Sequence, residues 1–299
     1  MTDTSLREIL AGLRVPACAA PMTAISTPAL VGAACAAGIL GGFPTSNCRS
    51  VAELDEWFDE IASLVNASVP TNVAPGPVVA NLIVGKQNRR LDDDLACVAR
   101  RRVRVVITSV GNPAPVIGPL HDAGCLVLVD VVSVAHARKA LAAGADGLIL
   151  LSAGAGGHTG WANPLAFVRA VRSFYDGPLA IAGGMSDGAA LWSAICAGYD
   201  LAMFGTRFIA TPESGATDSW REAIVASEMD DVTVATAPNG VAASLLRGGG
   251  GSGGHTVSSV HRNMSVQEVV DEIVDGWHSA RRRTASLLGA PDLRTGARP

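Results

Sequence analysis

Residues 121–150 read "HDAGCLVLVDVVSVAHARKALAAGADGLIL", and this stretch indicates the fold class. A short apolar run at Leu126–Val132 precedes Ser133 and an Ala-rich segment, and a second apolar run follows Gly144. Serine is a good helix N-cap, and glycine ends helices because it tolerates the left-handed backbone. Apolar runs without alternation are typical of parallel strands that are buried on both faces. The stretch therefore predicts a strand, a helix and a second, parallel strand.

The same pattern recurs along the chain, for example at "CAAGILGGF" (35–43) and "ICAGYDLAMF" (195–204). Eight short apolar runs are predicted strands: Ala17–Ala20, Ile39–Gly41, Val78–Val84, Val105–Thr108, Leu126–Val132, Leu148–Leu151, Leu179–Ala182 and Leu201–Phe204. This number of strand–helix units in about 210 residues favours an α/β fold of the (β/α)8 TIM-barrel type. A doubly wound open sheet is the alternative, because periodicity does not reveal whether a sheet closes.

Beyond residue 214 the strand–helix pattern stops. Helices are predicted at Asp218–Glu228 and Val266–Leu287, on either side of an irregular stretch that contains "RGGGGSGGHT" (247–256). We therefore predict a barrel in residues 1–214. Residues 215–299 are expected to form a mostly helical C-terminal extension, a lid segment that packs on the barrel.

Composition narrows the class of protein. Apolar residues make up 48% of the chain and charged residues 17%, and the net charge is −4, so no basic surface for nucleic acid is expected. The six cysteines form no C-x-x-C pair, which favours a reducing compartment and no metal site. The uncharged segment Ala29–Phe43 is too short to span a bilayer. These features predict a cytoplasmic protein that acts on small molecules and binds neither membrane nor nucleic acid.

Two loops after predicted strands have the composition of a phosphate site. Gly183 and Gly184 lie in "AGGMSDG" (182–188), just before a predicted helix, and Gly205 and Thr206 follow the last strand. Glycines let backbone N–H groups approach an anion, and the loops after strands seven and eight are the usual phosphate site of such barrels. Simple tight turns are the alternative reading of these glycines.

The loop after the sixth strand contains "GAGGH" (154–158), in which small residues surround His158. A surface without side chains suits a broad, flat ligand, and an imidazole can accept or donate a proton near neutral pH. A histidine that only caps its own loop is the alternative. Phosphate, flat ring and proton transfer together point to a flavin mononucleotide (FMN) enzyme.

Five ordered motifs support this hypothesis: "APMTAISTPAL" (20–30), "NLIV" (81–84), "AGAGGHTG" (153–160), "AGGMSDG" (182–188) and "MFGTRFIATPES" (203–214). They resemble the nitronate monooxygenase (2-nitropropane dioxygenase) family of FMN-dependent barrels, which also includes a flavin-dependent enoyl-acyl carrier protein reductase. The resemblance implies a catalytic role for His158. It also implies these cofactor-binding residues: Ala20, Pro21, Met22, Asn81, Gly156, Gly157, Gly183, Gly184, Met203, Phe204, Gly205 and Thr206.

The resemblance implies an oxidoreductase that oxidises a nitronate or a similar stabilised carbanion, with O₂ as electron acceptor and His158 handling the proton. An NAD(P)H-dependent reductase or dehydrogenase of an α,β-unsaturated acyl-CoA or acyl carrier protein thioester is the first alternative. A basic pocket made by Lys86, Arg89 and Arg90 would favour it. A barrel that binds a phosphorylated metabolite without redox chemistry is the second alternative.

Three features of the sequence differ from the family pattern or bear on assembly. Many family members carry Gln and Glu where this chain has Leu151 and Gly154. The region between Leu246 and Ser252 is shorter than the resemblance implies, with a glycine run in place of more ordinary sequence, so the resemblance does not predict a substrate lid there. His255, at the end of the glycine-rich segment 248–255, is expected at the surface. The Ala-rich helix Pro28–Ala37 lacks a polar face, so it packs either beneath the C-terminal helices or against another subunit of a homodimer.

Overall fold

A computed structural model describes residues 5–236 and 240–289. Within these residues, parallel strands close a barrel, each strand pairing with the next one along the chain that belongs to the barrel. The last strand pairs with the first, with Cys18 opposite Met203, so the sheet is closed and the open-sheet alternative is wrong. The barrel strands are β1 (Ala17–Ala19), β2 (Leu40–Pro44), β3 (Val78–Ile83), β4 (Val105–Ser109), β5 (Leu126–Val131), β6 (Gly147–Leu151), β8 (Leu179–Ala182) and β9 (Leu201–Phe204).

Each predicted strand corresponds to one strand of the barrel. The bounds of β8 and β9 agree with the predicted ones, and the others differ by a few residues at their ends. β2 is displaced furthest, since it begins at Leu40 and continues to Pro44. Gly41 and Gly42 both lie within β2 and are buried, so these two glycines belong to the strand and not to a turn.

Helices surround the barrel, and several begin at side-chain caps, among them the predicted cap Ser133. Thr27 accepts a hydrogen bond from the Leu30 N–H (3.1 Å), and Ser133 accepts one from the His136 N–H (3.1 Å). The helices are α1 (Leu6–Ala11), α2 (Pro28–Ala36), α3 (Val51–Ser68), α4 (Leu91–Arg100), α5 (Ala114–Asp122), α6 (Val134–Ala142), α7 (Pro164–Arg172), α8 (Gly188–Ala197), α9 (Thr206–Ile209), α10 (Asp218–Ala226) and α11 (Val266–Leu287). Among residues 5–236 and 240–289, none of these helices has the length and apolar character needed to cross a membrane.

The barrel interior is a packed apolar core. Leu40, Leu128 and Leu201 fill it together with Leu6 and Leu10 of α1, all of them buried. Because α1 belongs to this interior cluster, it closes the N-terminal end of the barrel. A ligand can therefore enter only at the opposite end, where the strands end and the active sites of such barrels lie.

The C-terminal extension contains a hairpin that sequence reasoning missed. Strands β10 (Val232–Thr236) and β11 (Ala242–Leu246) pair with each other, and β11 also pairs with the short strand β7 (Gly157–His158). α11 has the predicted bounds and packs against α8 and α2. The Ala-rich helix α2 is thus covered by α11 and α3 of its own chain. The homodimer and the division of the chain at residue 214 stay predictions.

The contact between α8 and α11 yields a stability prediction. A Cβ added at Gly188 would lie 2.0 Å from the Ile273 carbonyl oxygen and 2.0 Å from the Trp277 backbone nitrogen. Gly188→Ala must therefore push the two helices apart, and we expect a loss of about 3 kcal/mol in the free energy of unfolding, as overpacking gives. Gly118→Ala in α5 is the control, because its Cβ would meet nothing within 4 Å. Equal stabilities of the two variants in urea denaturation would contradict this packing.

Candidate active site

A cavity of about 280 Å³ lies at the C-terminal end of the barrel. Its walls come from the ends of the barrel strands and the loops after them, joined by Ser252 and Thr256 of the C-terminal extension. These predicted site residues line it: Ala20, Pro21, Met22, Asn81, Gly156, Gly157, His158, Gly183, Gly184, Met203, Gly205 and Thr206. Phe204 does not line it, because alternation along β9 turns its ring into the buried layer outside the strands.

The two glycine loops present backbone donors to this cavity. Gly183 and Gly184 both have positive φ (120° and 75°), a backbone conformation that favours glycine. A Cβ at Gly184 would meet no atom within 4 Å, so this position opens onto the cavity. Within the described ranges, the N–H groups of Gly184 and Gly205 donate to no protein acceptor. Two unpaired donors, one on each of these neighbouring loops, form a suitable cradle for a phosphate.

The surface around "GAGGH" is built by backbone packed directly on backbone. A Cβ at Gly156 would lie 2.8 Å from the Gly254 nitrogen, and one at Gly254 would lie 2.4 Å from the Gly154 carbonyl oxygen. The Gly254 N–H also donates to the Thr206 hydroxyl (2.9 Å). The glycine-rich segment therefore packs against both the loop after β6 and the loop after β9, and it forms one wall of the cavity. The run of glycines in residues 248–254 was the feature of the sequence that indicated such a close backbone contact.

His255 occupies the space that a side chain at position 154 would need. A Cβ at Gly154 would lie 2.7 Å from His255 Nδ1, and the His255 N–H donates to the Gly154 carbonyl (3.0 Å). His255 is exposed and does not line the cavity, in agreement with its expected surface position. A side chain at position 154 would therefore collide with the His255 imidazole.

His158 is held at the cavity edge by the C-terminal hairpin. It lies opposite Ala243 in the β7–β11 pairing, and the next residue, Thr159, donates its N–H to the Ala242 carbonyl (3.0 Å). The imidazole is half-buried, and burial lowers the pKa of His158 below its usual value. The ring is therefore neutral at pH 7 and can accept a proton.

Three polar side chains at the ends of β3, β4 and β5 form a hydrogen-bond chain in the cavity wall. Asn81 Nδ2 donates to Ser109 Oγ (2.7 Å), and Ser109 Oγ donates to Asp130 Oδ2 (2.6 Å). Burial raises the pKa of Asp130 to about 6, although the hydrogen bond from Ser109 opposes the shift. Asn81 was predicted as a site residue, but Ser109 and Asp130 were missed. An aspartate at the end of an apolar strand was the available signal.

The cavity fits FMN by the chemistry of its walls. Unpaired N–H groups at Gly184 and Gly205 suit the phosphate, and the open backbone at Gly157, where a Cβ would meet nothing within 4 Å, suits a flat ring. Apolar side chains such as Ile149 and Met203 line the rest. Small-molecule sites commonly combine an apolar lining with a few placed polar groups.

Comparison with known proteins agrees with this geometry. The family model described as nitronate monooxygenase matches residues 5–249. The chain belongs to the nitronate monooxygenase family. This family comprises flavin-dependent oxidoreductases, and its membership favours redox chemistry over the non-redox phosphometabolite barrel.

Relatives within this family carry two kinds of name. The chain is 28% identical over 243 residues to a Rhodococcus jostii protein named (3aS,4S,5R,7aS)-5-hydroxy-7a-methyl-1-oxo-octahydro-1H-indene-4-carboxyl-CoA dehydrogenase, covering 81% of this chain and 65% of that protein. It is 32% identical over 161 residues to the Mycobacterium tuberculosis protein of the same name, covering 52% of this chain and 44% of that protein. It is 28% identical to a Paraburkholderia phytofirmans nitronate monooxygenase, covering 80% of this chain and 76% of that protein.

Solved structures share the fold. FabK from Thermotoga maritima superposes with a TM-score of 0.82 at 23% identity, covering 95% of this chain and 98% of that chain. A nitroalkane oxidase from Streptomyces ansochromogenes superposes with a TM-score of 0.82 at 22% identity, covering 92% of this chain and 99% of that chain. The fold is thus that of both proteins, whereas the chain spans 44% and 65% of the two CoA dehydrogenases.

Proposed function

We propose that this chain is an FMN-dependent oxidoreductase that oxidises nitronates or similar stabilised carbanions, with O₂ as the electron acceptor. The observation that carries the proposal is the neutral, half-buried imidazole of His158 at the edge of a cavity with a glycine backbone surface. Among the described residues, His158 and Asp130 are the only ionisable side chains that line this cavity. Because few polar groups surround this base, the cavity offers little help in making a substrate C–H acidic. This suits a nitroalkane, whose own nitro group makes the neighbouring C–H acidic.

The residues have separate tasks in this proposal. Gly183, Gly184, Gly205 and Thr206 bind the phosphate of the cofactor through backbone N–H groups and one hydroxyl. FMN, when bound, supplies the acceptor for the electrons of the substrate and passes them to O₂. His158 accepts the proton from the carbon next to the nitro group, which converts a nitroalkane into its nitronate.

The C-terminal hairpin holds the backbone of His158 at the cavity edge. Because its backbone pairs with Ala243, the main chain of His158 cannot leave the cavity edge without breaking the β7–β11 pairing. A positioned base of this kind contributes typically about 10²–10⁴-fold to a rate. The C-terminal extension is therefore part of the active site in this proposal.

A second candidate is a flavin-dependent dehydrogenase or reductase of an acyl-CoA or acyl carrier protein thioester, with NAD(P)H as possible electron partner. The two relatives named as carboxyl-CoA dehydrogenases favour it. The basic trio supports it less than expected, because Arg90 donates to the Cys48 carbonyl (2.6 Å) and pairs with Asp94 (2.8 Å). Lys86 and Arg89 are exposed beyond β3 and remain available to bind a CoA phosphate.

Anaerobic stopped-flow absorbance of the FMN-loaded protein distinguishes the two candidates. We expect propyl nitronate alone to bleach the flavin absorbance, and His158→Asn to slow bleaching by the parent nitroalkane by about 10²–10⁴-fold. Bleaching by NADH, NADPH or a saturated acyl-CoA, with none by nitronate, would overturn the first candidate and support the second. The double variant Lys86→Ala/Arg89→Ala tests the second candidate. It should weaken acyl-CoA binding and leave nitronate oxidation unchanged.

A further inference from the structure

The hydrogen-bond chain Asn81–Ser109–Asp130 has a direction that follows from its fixed members. The Ile107 carbonyl can only accept, and it receives Asn81 Nδ2 at 3.3 Å. An ionised Asp130 can also only accept, so Ser109 must donate to it and must accept from Asn81 Nδ2. Both contacts direct the amide nitrogen into the wall. Asn81, which is buried and lines the cavity, therefore presents its Oδ1 acceptor to a ligand.

Protonation of Asp130 removes the requirement that Ser109 donate to Asp130 and accept from Asn81. The carboxyl then carries an O–H that donates to Ser109 Oγ, and the Ser109 proton becomes free to donate to Asn81. To accept it, the amide must rotate and place Oδ1 against Ser109, which directs Nδ2 into the cavity. The rotation replaces the long contact between Nδ2 and the Ile107 carbonyl (3.3 Å) by a contact of Oδ1 with that carbonyl oxygen, an opposing cost that the new hydrogen bond from Ser109 must exceed. One proton enters from solvent and no electrons move.

We propose that Asp130 is a positioning residue whose protonation reverses this hydrogen-bond chain, so that Asn81 changes from an acceptor to a donor toward the bound cofactor. The proposal rests on the proposed FMN site. It adds a second proton-dependent group to that site, distinct from His158, and it makes hydrogen bonding to the flavin depend on pH.

The surroundings of Asp130 leave burial as the dominant influence on its protonation. Burial raises the pKa of Asp130 to about 6, and the hydrogen bond from Ser109 is the opposing influence. The neighbouring strands β4 and β6 carry no titratable side chain, and His158 is the other ionisable group in the cavity lining of the described residues. The neighbouring helices α5 and α6 lie outside the barrel and carry His121, Asp122, His136, Arg138 and Lys139.

The first test follows the visible spectrum of FMN bound to the full chain between about pH 5 and 8, a range that brackets the raised pKa. We expect the wild-type spectrum to shift with a midpoint near pH 6. Asp130→Asn should abolish the shift, and Ser109→Ala should also abolish it because the relay is broken. His158→Asn is the matched control and should retain it. A pH-independent wild-type spectrum, or a shift that persists in Ser109→Ala, would overturn the proposal.

The second test needs no cofactor and separates this proposal from the assignment of FMN. It measures the thermal midpoint of the cofactor-free chain against pH. The folded pKa of Asp130, about 6, lies above its ordinary 3.8, so its stabilising effect is complete below pH 3.8 and is lost as pH rises through 6. Asp130→Asn stays neutral, so its midpoint relative to wild type should rise over that range and then level off.

The outcomes of the two tests are distinguishable. Failure of every variant to bind FMN would contradict the proposed function, and the cofactor-free chain would still report on Asp130. Parallel pH profiles of wild type and Asp130→Asn would overturn the proposal whether or not FMN binds. If Asp130→Asn does not fold, Ser109→Ala in the first test still decides whether Asp130 acts through the relay.

Discussion

Replacing His158 with asparagine is expected to lower the turnover of a nitroalkane by about 10²–10⁴-fold, the usual contribution of a positioned general base. Asparagine keeps a polar side chain of similar reach but cannot accept the proton. Because the backbone of position 158 is held by its pairing with Ala243, the substitution should leave the fold unchanged. Steady-state oxygen consumption with a nitroalkane measures the effect.

The substrate provides the control for this prediction. A nitronate has already lost the proton that His158 would accept, so its oxidation should fall much less in the variant than that of the parent nitroalkane. The affinity for FMN should stay within about threefold of wild type, since the phosphate cradle is on other loops. An equal loss with both substrates would show that His158 does not act as the base.

The lowered pKa of His158 predicts how nitroalkane turnover by the wild-type protein changes with pH. Burial lowers the pKa of His158, so the neutral, proton-accepting form persists at lower pH than for an exposed histidine with a pKa of about 6.5. Nitroalkane turnover should therefore fall on the acid side with a midpoint below that ordinary value, and it should level off above it. The residual turnover of His158→Asn should not show this fall on the acid side.

The second large effect is expected at Gly184. A side chain there would enter the cavity, and φ of 75° would strain any other residue by about 1–2 kcal/mol. In Gly184→Leu the leucine would displace the phosphate from the N–H donors. Charge-assisted hydrogen bonds contribute about 1.5–3 kcal/mol each, so we expect the Kd for FMN to rise by about 10–100-fold or more.

Gly124→Leu is the matched control for this substitution. Gly124 has φ of 80°, a Cβ there would meet nothing within 4 Å, and it follows α5 outside the cavity. Both variants carry the same backbone strain and should lose similar thermal stability, whereas only Gly184→Leu should lose FMN affinity. Titration of FMN fluorescence measures the Kd. Equal affinities of the two variants would refute the phosphate cradle at Gly184.

Much of the barrel could be predicted because its signals are local. The run at Leu126–Val132, the cap at Ser133 and the glycines that end helices each act within a few residues. The same holds for the site loops, where glycines and a histidine at a strand end indicate backbone exposure to a ligand. Twelve of the predicted site residues line one cavity for this reason, and Phe204 is the exception because alternation along β9 turns it outward.

The missed features all depend on contacts between distant parts of the chain. The β10–β11 hairpin is short, and its register against β7 depends on where the barrel places residues 157–158. The packing of Gly254 on Gly156 joins two loops about a hundred residues apart in sequence, so neither glycine run alone shows its partner. Ser109 and Asp130 lie on separate strands and meet only because β4 and β5 are neighbours.

The amino-acid sequence by itself determined the order of strands and helices, the closing glycines of the helices and the loops that face a ligand, since these follow from local backbone preferences and burial patterns. Only the tertiary structure decided that the sheet closes, that the C-terminal hairpin holds His158, and that Asp130 reaches Asn81 through Ser109. The physical reason is that hydrogen bonds and close packing act over a few ångströms in space, and the fold brings together residues whose separation along the chain carries no such information.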